Sequence, residues 1–221
     1  MYPAYSSTST DAVLSAAVSL SLPLQEQQKL ASCRPHSICN SIYCPRCLQR
    51  AGFQRQTRLL QVASNVPHPL KFGTFTGRNL PMGRVREAST VLMQTARTVC
   101  KRFKVKGFAL RLEVSDPKGL DLHPHVHGLI DTPSGGRGYV SPSDWQDAWL
   151  HALPQDLHPT VGGAHIKPVR NLGASCNYLL KSAFSALCED AYDGDDIERV
   201  VAYITACKGT QQFSVRGSLA A

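Results

Sequence analysis

The chain has 221 residues, with 24 Lys and Arg against 16 Asp and Glu, a formal charge of +8, and a hydrophobic share of 43%. That length suits one domain with a small appendage, and the apolar share excludes a wholly disordered chain. No stretch approaches the ~18 consecutive apolar residues of a membrane span, and MYPAYSSTSTDAVLSAAVSLSLPL lacks the basic start of a secretory signal. No membrane partner is expected, and the expected location is the cytoplasm.

Charge is unevenly spread. Residues 46–118 hold 15 basic and 3 acidic groups, a net of +12, whereas residues 119–221 hold 7 basic and 11 acidic, a net of −4. A basic block of this size points to an anionic partner, most often nucleic acid. Residues 1–31 read as a disordered or weakly helical leader. Residues 32–66 read as a Cys-rich zinc segment with a basic helix, and residues 67–221 as the main domain.

Four of the eight cysteines fall between residues 33 and 47. Clustered Cys without a secretory signal read as a metal knot rather than a disulfide scaffold. Cys39, Cys44 and Cys47, preceded by Cys33 and His36, have zinc-ligand spacing, and thiolates around one ion would fold a segment with little apolar mass. The expected set is Cys33, Cys39, Cys44 and Cys47, with His36 a substitute for Cys33. Residues 48–64 carry apolar residues at helical spacing among basic ones. Arg46, Arg50, Arg55 and Arg58 are expected to touch DNA backbone. Pro67 and Pro69 end that helix.

Leu70–Thr76 reads as a strand. Residues 84–104 read as a helix ending in Lys101, Arg102 and Lys104, where cations suit the C-terminus. Lys106–Val114 and Leu122–Ile130 alternate as the two strands of an antiparallel hairpin around the turn Asp116-Pro-Lys-Gly119. Ser141 and Asp144 form close to a capping box for a helix bearing Trp145 and Trp149. Ala164–Val169 reads as a strand, and 173–190 and Ile197–Cys207 as helices. The order β-α-β-β-α-β-α fits an α+β, ferredoxin-like, split βαβ class: an antiparallel sheet with helices on one face. Cys100, Cys176, Cys188 and Cys207 read as core filler.

Alternation places His125 and His127 on one face of their strand and Val126 and Ile130 on the other. In the partner strand Phe108, Leu110 and Leu112 line one face, and Arg111 and Glu113 the other. With both apolar faces down, Glu113 joins His125 and His127. Two imidazoles and a carboxylate suit a divalent metal with positions left for water or phosphate oxygens. His123 has the same parity but stays outside the ligand set, because Pro124 distorts the chain beside it. In the helix from residue 173, Leu180, Ala183, Phe184 and Leu187 form an apolar stripe. Tyr178, Lys181, Ser182 and Ser185 lie opposite, so the phenol is free for chemistry with a Lys one turn on.

Three stretches in order are similar to the HUH endonucleases: Lys71-Phe-Gly-Thr-Phe-Thr76, His123-Pro-His-Val-His-Gly-Leu-Ile130 and Asn177-Tyr-Leu-Leu-Lys181. His165-Ile-Lys-Pro-Val169 and the Cys-Pro-x-Cys knot also resemble plasmid Rep proteins. The Tyr follows the His strand, as in Rep proteins and small transposases and unlike relaxases. The resemblance covers roughly residues 30–216. It implies an HUH endonuclease fold and a single-tyrosine nicking reaction at a rolling-circle origin. His125, His127 and Glu113 would hold Mg²⁺ or Mn²⁺, Tyr178 would be the nucleophile, and Lys181 would neutralise phosphate or phenolate. The implied product is a 5′-phosphotyrosine and a 3′-OH primer. The implied partners are single-stranded or hairpin origin DNA, a host helicase and a host polymerase. Ala174 stands where some single-Tyr initiators carry a Glu used at termination, which leaves the second cleavage open. A single-tyrosine transposase and a non-catalytic zinc-containing DNA-binding regulator are the alternatives.

Overall fold

The computed structural model describes residues 22–34, 37–115, 121–132, 139–180, 205–206 and 208–220. Helix α1 (Leu24–Ser32) leads into the Cys cluster and α2 (Pro45–Ser64) leaves it. Then come β1 (Lys71–Thr76), a short β2 (Leu80–Pro81), α3 (Val85–Arg102), β3 (Gly107–Ser115) and β4 (Asp121–Asp131). The chain continues through α4 (Pro142–Ala152), β5 (Ala164–Pro168), α5 (Leu172–Leu180) and β6 (Phe213–Gly217). The expected β-α-β-β-α-β-α order is present through α5, with β2 and β6 added. The helix expected over Ile197–Cys207 lies largely outside the described residues, as does the part of 173–190 beyond Leu180.

The sheet runs β5-β1-β4-β3-β6, with β2 attached to β4, and its neighbours pair antiparallel. Both β1 and β3 are antiparallel to β4, so they run parallel to each other with β4 between them. Helix α3 makes the crossover that this split arrangement requires. Helix α4 starts as its sequence dictates: Asp144 N donates to Ser141 Oγ at 3.1 Å and Ser141 N donates to Asp144 Oδ2 at 3.0 Å, a complete capping box. Gly217 has φ +62, and a Cβ there would sit 1.9 Å from the Lys106 carbonyl oxygen, so only glycine closes β6 against the start of β3.

One face of the sheet is apolar across its central strands. Phe75, Leu110, Leu112, Val126 and Ile130 meet Val85, Leu92, Met93, Ala96 and Val99 of α3 and Trp145 and Trp149 of α4 in one buried cluster. The 3–4 spacing of the α3 set is the stripe that a surface helix turns to a core. Phe75 is fully buried, with ring centroids 5.2 Å from Trp149 and 6.0 Å from Trp145. Trp149 Nε1 donates to the Thr76 carbonyl at 3.0 Å, which satisfies the one polar atom of the indole.

The second face corrects the expectation of helices on one side only. Leu59 and Ala63 of α2 and Cys176, Leu179 and Leu180 of α5 form a second cluster with Phe72, Ala109 and Leu129. These three strand residues occupy one cross-strand row, Phe72 opposite Leu129 and Leu129 opposite Ala109. The next rows on the same face are Thr74–His127–Arg111 and Thr76–His125–Glu113. Helices therefore cover the apolar end of this face, where burial is favourable, and polar side chains line the other end.

Phe75→Ala empties the centre of the first cluster. It is expected to lower unfolding stability by about 3–5 kcal/mol, read as an earlier urea midpoint in far-ultraviolet circular dichroism.

Candidate active site

The polar rows bring Glu113, His125 and His127 together as alternation anticipates. Glu113 stands directly opposite His125 in the β3–β4 register, and His127 is two residues further on. Both Nε2 atoms converge on one carboxylate oxygen: His127 Nε2 donates to Glu113 Oε2 at 2.7 Å and His125 Nε2 at 3.1 Å. The ligand atoms of the three residues lie within 4.8 Å of one another and could hold one metal ion. Burial opposes ionisation of Glu113, but hydrogen bonds from His125 and His127 outweigh it and hold the carboxyl well below the ordinary range. Burial lowers His127 below the usual imidazole value in spite of the Glu113 bond, and the charges of His125 and Arg111 add to the shift. Both shifts, towards an anionic Glu113 and a neutral His127, favour the protonation states that ligation needs.

Two neighbours of this triad were not legible as functional from sequence. Thr74 Oγ1 lies 3.2 Å from His127 Nδ1, so it fixes the ring through the nitrogen that does not face Glu113. Arg111 is directly opposite His127 on the same face of the sheet. Alternation already sets Arg111 on the face of Glu113, but its place opposite His127, and that of Thr74 beside it, appear only once β1 and β3 are set in register with β4. His123 bonds Asn79 through Nδ1, and its ring centroid is 5.5 Å from that of His125. It stands outside the converging group.

Tyr178 comes to the same place from α5. Asn171 opens that helix, its Oδ1 accepting from Ala174 N at 2.9 Å. Cys176, Leu179 and Leu180 are buried against the sheet, while Tyr178 is 52% exposed. Its ring stands edge-on to His127, with centroids 4.9 Å apart at 80°, and 5.8 Å from Phe72. Phe72 marks the last apolar row, so the phenol sits on the boundary between the covered and the polar ends. Lys181 lies outside the described residues.

The cysteine knot assembles as its spacing suggests. Cys33, Cys39, Cys44 and Cys47 bring four sulfurs within 4.8 Å of one another, and they could hold a second ion. Cys33 Sγ lies 3.7 Å from Cys47 Sγ, Cys39 Sγ 3.6 Å from Cys47 Sγ, and Cys44 Sγ 3.6 Å from Cys33 Sγ. A disulfide would need about 2 Å. Four thiolates about 2.3 Å from one tetrahedral ion are about 3.8 Å apart, which these separations approach. Backbone N–H groups of Cys39, Ser41 and Cys47 reach the sulfurs of Cys33, Cys39 and Cys44, support of the kind thiolates use. Asn40 takes φ 53 inside this tight turn. His36 lies outside the described residues.

Cys44 caps α2 and Cys47 sits in its first turn. Arg50, Arg55 and Arg58 are exposed on that helix; the side chain of Arg46 lies outside the described residues. Cys100 and Cys176 are core residues as expected, their thiols pushed up by burial to about 12 and about 11. Cys188 and Cys207 lie outside the described residues. Among the described residues no helix is long and apolar enough to cross a membrane.

A family model described as a replication protein, Rep_1, matches residues 30–218, close to the span over which the sequence resembles plasmid Rep proteins. No curated protein and no solved structure gives a match.

Two metal measurements check these centres. The purified chain is expected to carry one zinc by elemental analysis, and Cys47→Ser to lose it. Mn²⁺ titrated into the zinc-loaded chain is expected to bind at least about tenfold more weakly in Glu113→Gln, read by the loss of free Mn²⁺ signal in electron paramagnetic resonance.

Proposed function

The chain belongs to the Rep_1 family of replication proteins, and on that premise we propose that it nicks one strand of a plasmid origin to start rolling-circle replication. The observation that carries this reading is the Tyr178 ring, 4.9 Å from that of His127 at the edge of a carboxylate–imidazole group. A half-exposed phenol beside a metal-ligand set has the parts of a phosphoryl-transfer site: a nucleophile, a place for a divalent ion, and an open side for substrate. The split β-α-β sheet, with the His pair on its central strand, fits the ferredoxin-like fold of the HUH endonucleases.

Mg²⁺ or Mn²⁺ held by Glu113, His125 and His127 would polarise the scissile phosphate and offset its developing charge. Thr74 keeps the His127 ring aimed at that position. The Tyr178 oxygen attacks phosphorus in line, forming a phosphotyrosine bond. The bond from phosphorus to the 3′ oxygen of the preceding nucleotide breaks. The phenol gives up its proton, and the departing oxygen takes one up to leave a free 3′-OH. Arg111 adds positive charge next to His127, and Lys181, three residues after Tyr178, serves as the phosphate-neutralising cation. The 3′-OH then primes a host polymerase. DNA enters single-stranded or as an extruded hairpin, with strand separation supplied by a host helicase. Arg46, Arg50, Arg55 and Arg58 bind the phosphate backbone, and zinc on Cys33, Cys39, Cys44 and Cys47 stabilises the N-terminal segment.

Single-stranded oligonucleotides tiling the replicon, incubated with the protein and Mn²⁺, are expected to give a covalent protein–DNA adduct on a denaturing gel. EDTA and Tyr178→Phe should each remove it, and Glu113→Gln should slow it by about 100-fold. Oligonucleotide retention without an adduct on any tile would overturn nicking in favour of a non-catalytic DNA binder.

A further inference from the structure

The Cys knot and Tyr178 are linked by one continuous helix. Cys47 lies in the first turn of α2, so the knot fixes where that helix begins. Five residues on, Gly52 meets α5: a Cβ at this position would be 3.4 Å from the Leu180 carbonyl oxygen. One turn later Gln56 Nε2 donates to Asn177 Oδ1, on the residue next to Tyr178. Leu59 and Ala63 then complete the seam, buried with Cys176, Leu179 and Leu180. A Cβ at Gly52 would be in ordinary contact with α5, so a side chain larger than alanine must push the two helices apart, and close-packed interiors tolerate little displacement.

We propose that α2 is a strut through which the Cys knot sets the position of Tyr178 against His127, with Gly52 and Gln56 as its positioning residues. The effect on rate rests on Tyr178 being the nucleophile; the effect on the position of its ring does not. It gives the knot a role in the reaction that is separate from DNA contact. The physical route is short. Tyr178 stands on α5 with its ring against Phe72 and His127, α5 is seated on the sheet through Phe72, Ala109 and Leu129 among others, and Leu59 and Ala63 of α2 pack with it in the same cluster. A shift of α2 therefore moves the phenol relative to a triad that β3 and β4 hold independently. A misplacement of about 1 Å at a reacting atom can cost about 10²-fold in rate.

The test places 3-fluorotyrosine at position 178 of the full chain and follows its ¹⁹F resonance, which the neighbouring His127 ring shifts. In Gly52→Leu the expected result is a moved resonance and single-turnover adduct formation slowed by about 10²-fold. Zinc content, Mn²⁺ affinity and oligonucleotide affinity should stay at the parent level. A role confined to folding or to DNA binding would not divide the readouts in this way. Gln56→Ala, a surface substitution, should move the resonance in the same direction and serves if Gly52→Leu does not fold. An unmoved resonance in whichever variant folds with its zinc, or in Cys47→Ser after zinc loss, overturns the strut. A parent chain that makes no adduct, with a resonance that still moves in the variants, overturns the nicking reading and leaves the strut standing.

Discussion

The second face of the sheet changes character between two adjacent rows, and the rest of the molecule follows from where that change falls. Phe72, Leu129 and Ala109 must be covered, because exposed apolar area is costly at about 25 cal/mol per Å². His127 and Arg111, in the next row, are polar, and His127, though buried, has both ring nitrogens bonded, to Glu113 and to Thr74. The described turns of α2 and α5 cover that apolar row. A residue at the margin of α5 is thereby placed beside a row of ligands without belonging to either the core or the open half, and Tyr178 is that residue. On the opposite face the central strands are buried under α3 and α4, with Lys71 and Arg216 at its margin.

Within the open half, the chemistry is set by one carboxylate oxygen shared between two imidazoles. Glu113 is partly buried, which by itself favours the neutral acid. The two N–H donors reverse that preference, and Thr74 holds one of the rings from behind. Each group needs the others in order to be buried at low cost, so the cluster is preorganised rather than assembled on demand. The knot follows the same logic with sulfur. Four thiols crowded at 3.6–3.7 Å are poor neighbours as separate groups and good ones around a cation.

Much of this was legible in the sequence because strand alternation is a local rule. The shared face of Glu113, His125 and His127 needed only the parity of two strands joined by a turn. The capping box at Ser141 is equally local, and the helix read over 84–104 is present as Val85–Arg102. What escaped was long-range. Thr74 acquires its role through a register with β4 across fifty-three residues, and Gln56 meets Asn177 across a hundred and twenty-one. The stripe that buries Leu59 and Ala63 announces that α2 packs on something but not on what, and its arginines drew attention to the exposed side. Strand β6 offers only Phe213 and Val215 as alternating apolar positions, too few to separate a strand from a loop.

The two tryptophans of the chain, Trp145 and Trp149, are both fully buried in the α3–α4 face. All of the indole fluorescence therefore originates on that side of the sheet. Emission will follow loosening of that core and stay blind to fraying of α2 and α5, which lie behind the sheet from both indoles. The half of the molecule that carries Tyr178 contributes no indole emission, and a cooperative transition in that emission would describe only the other half.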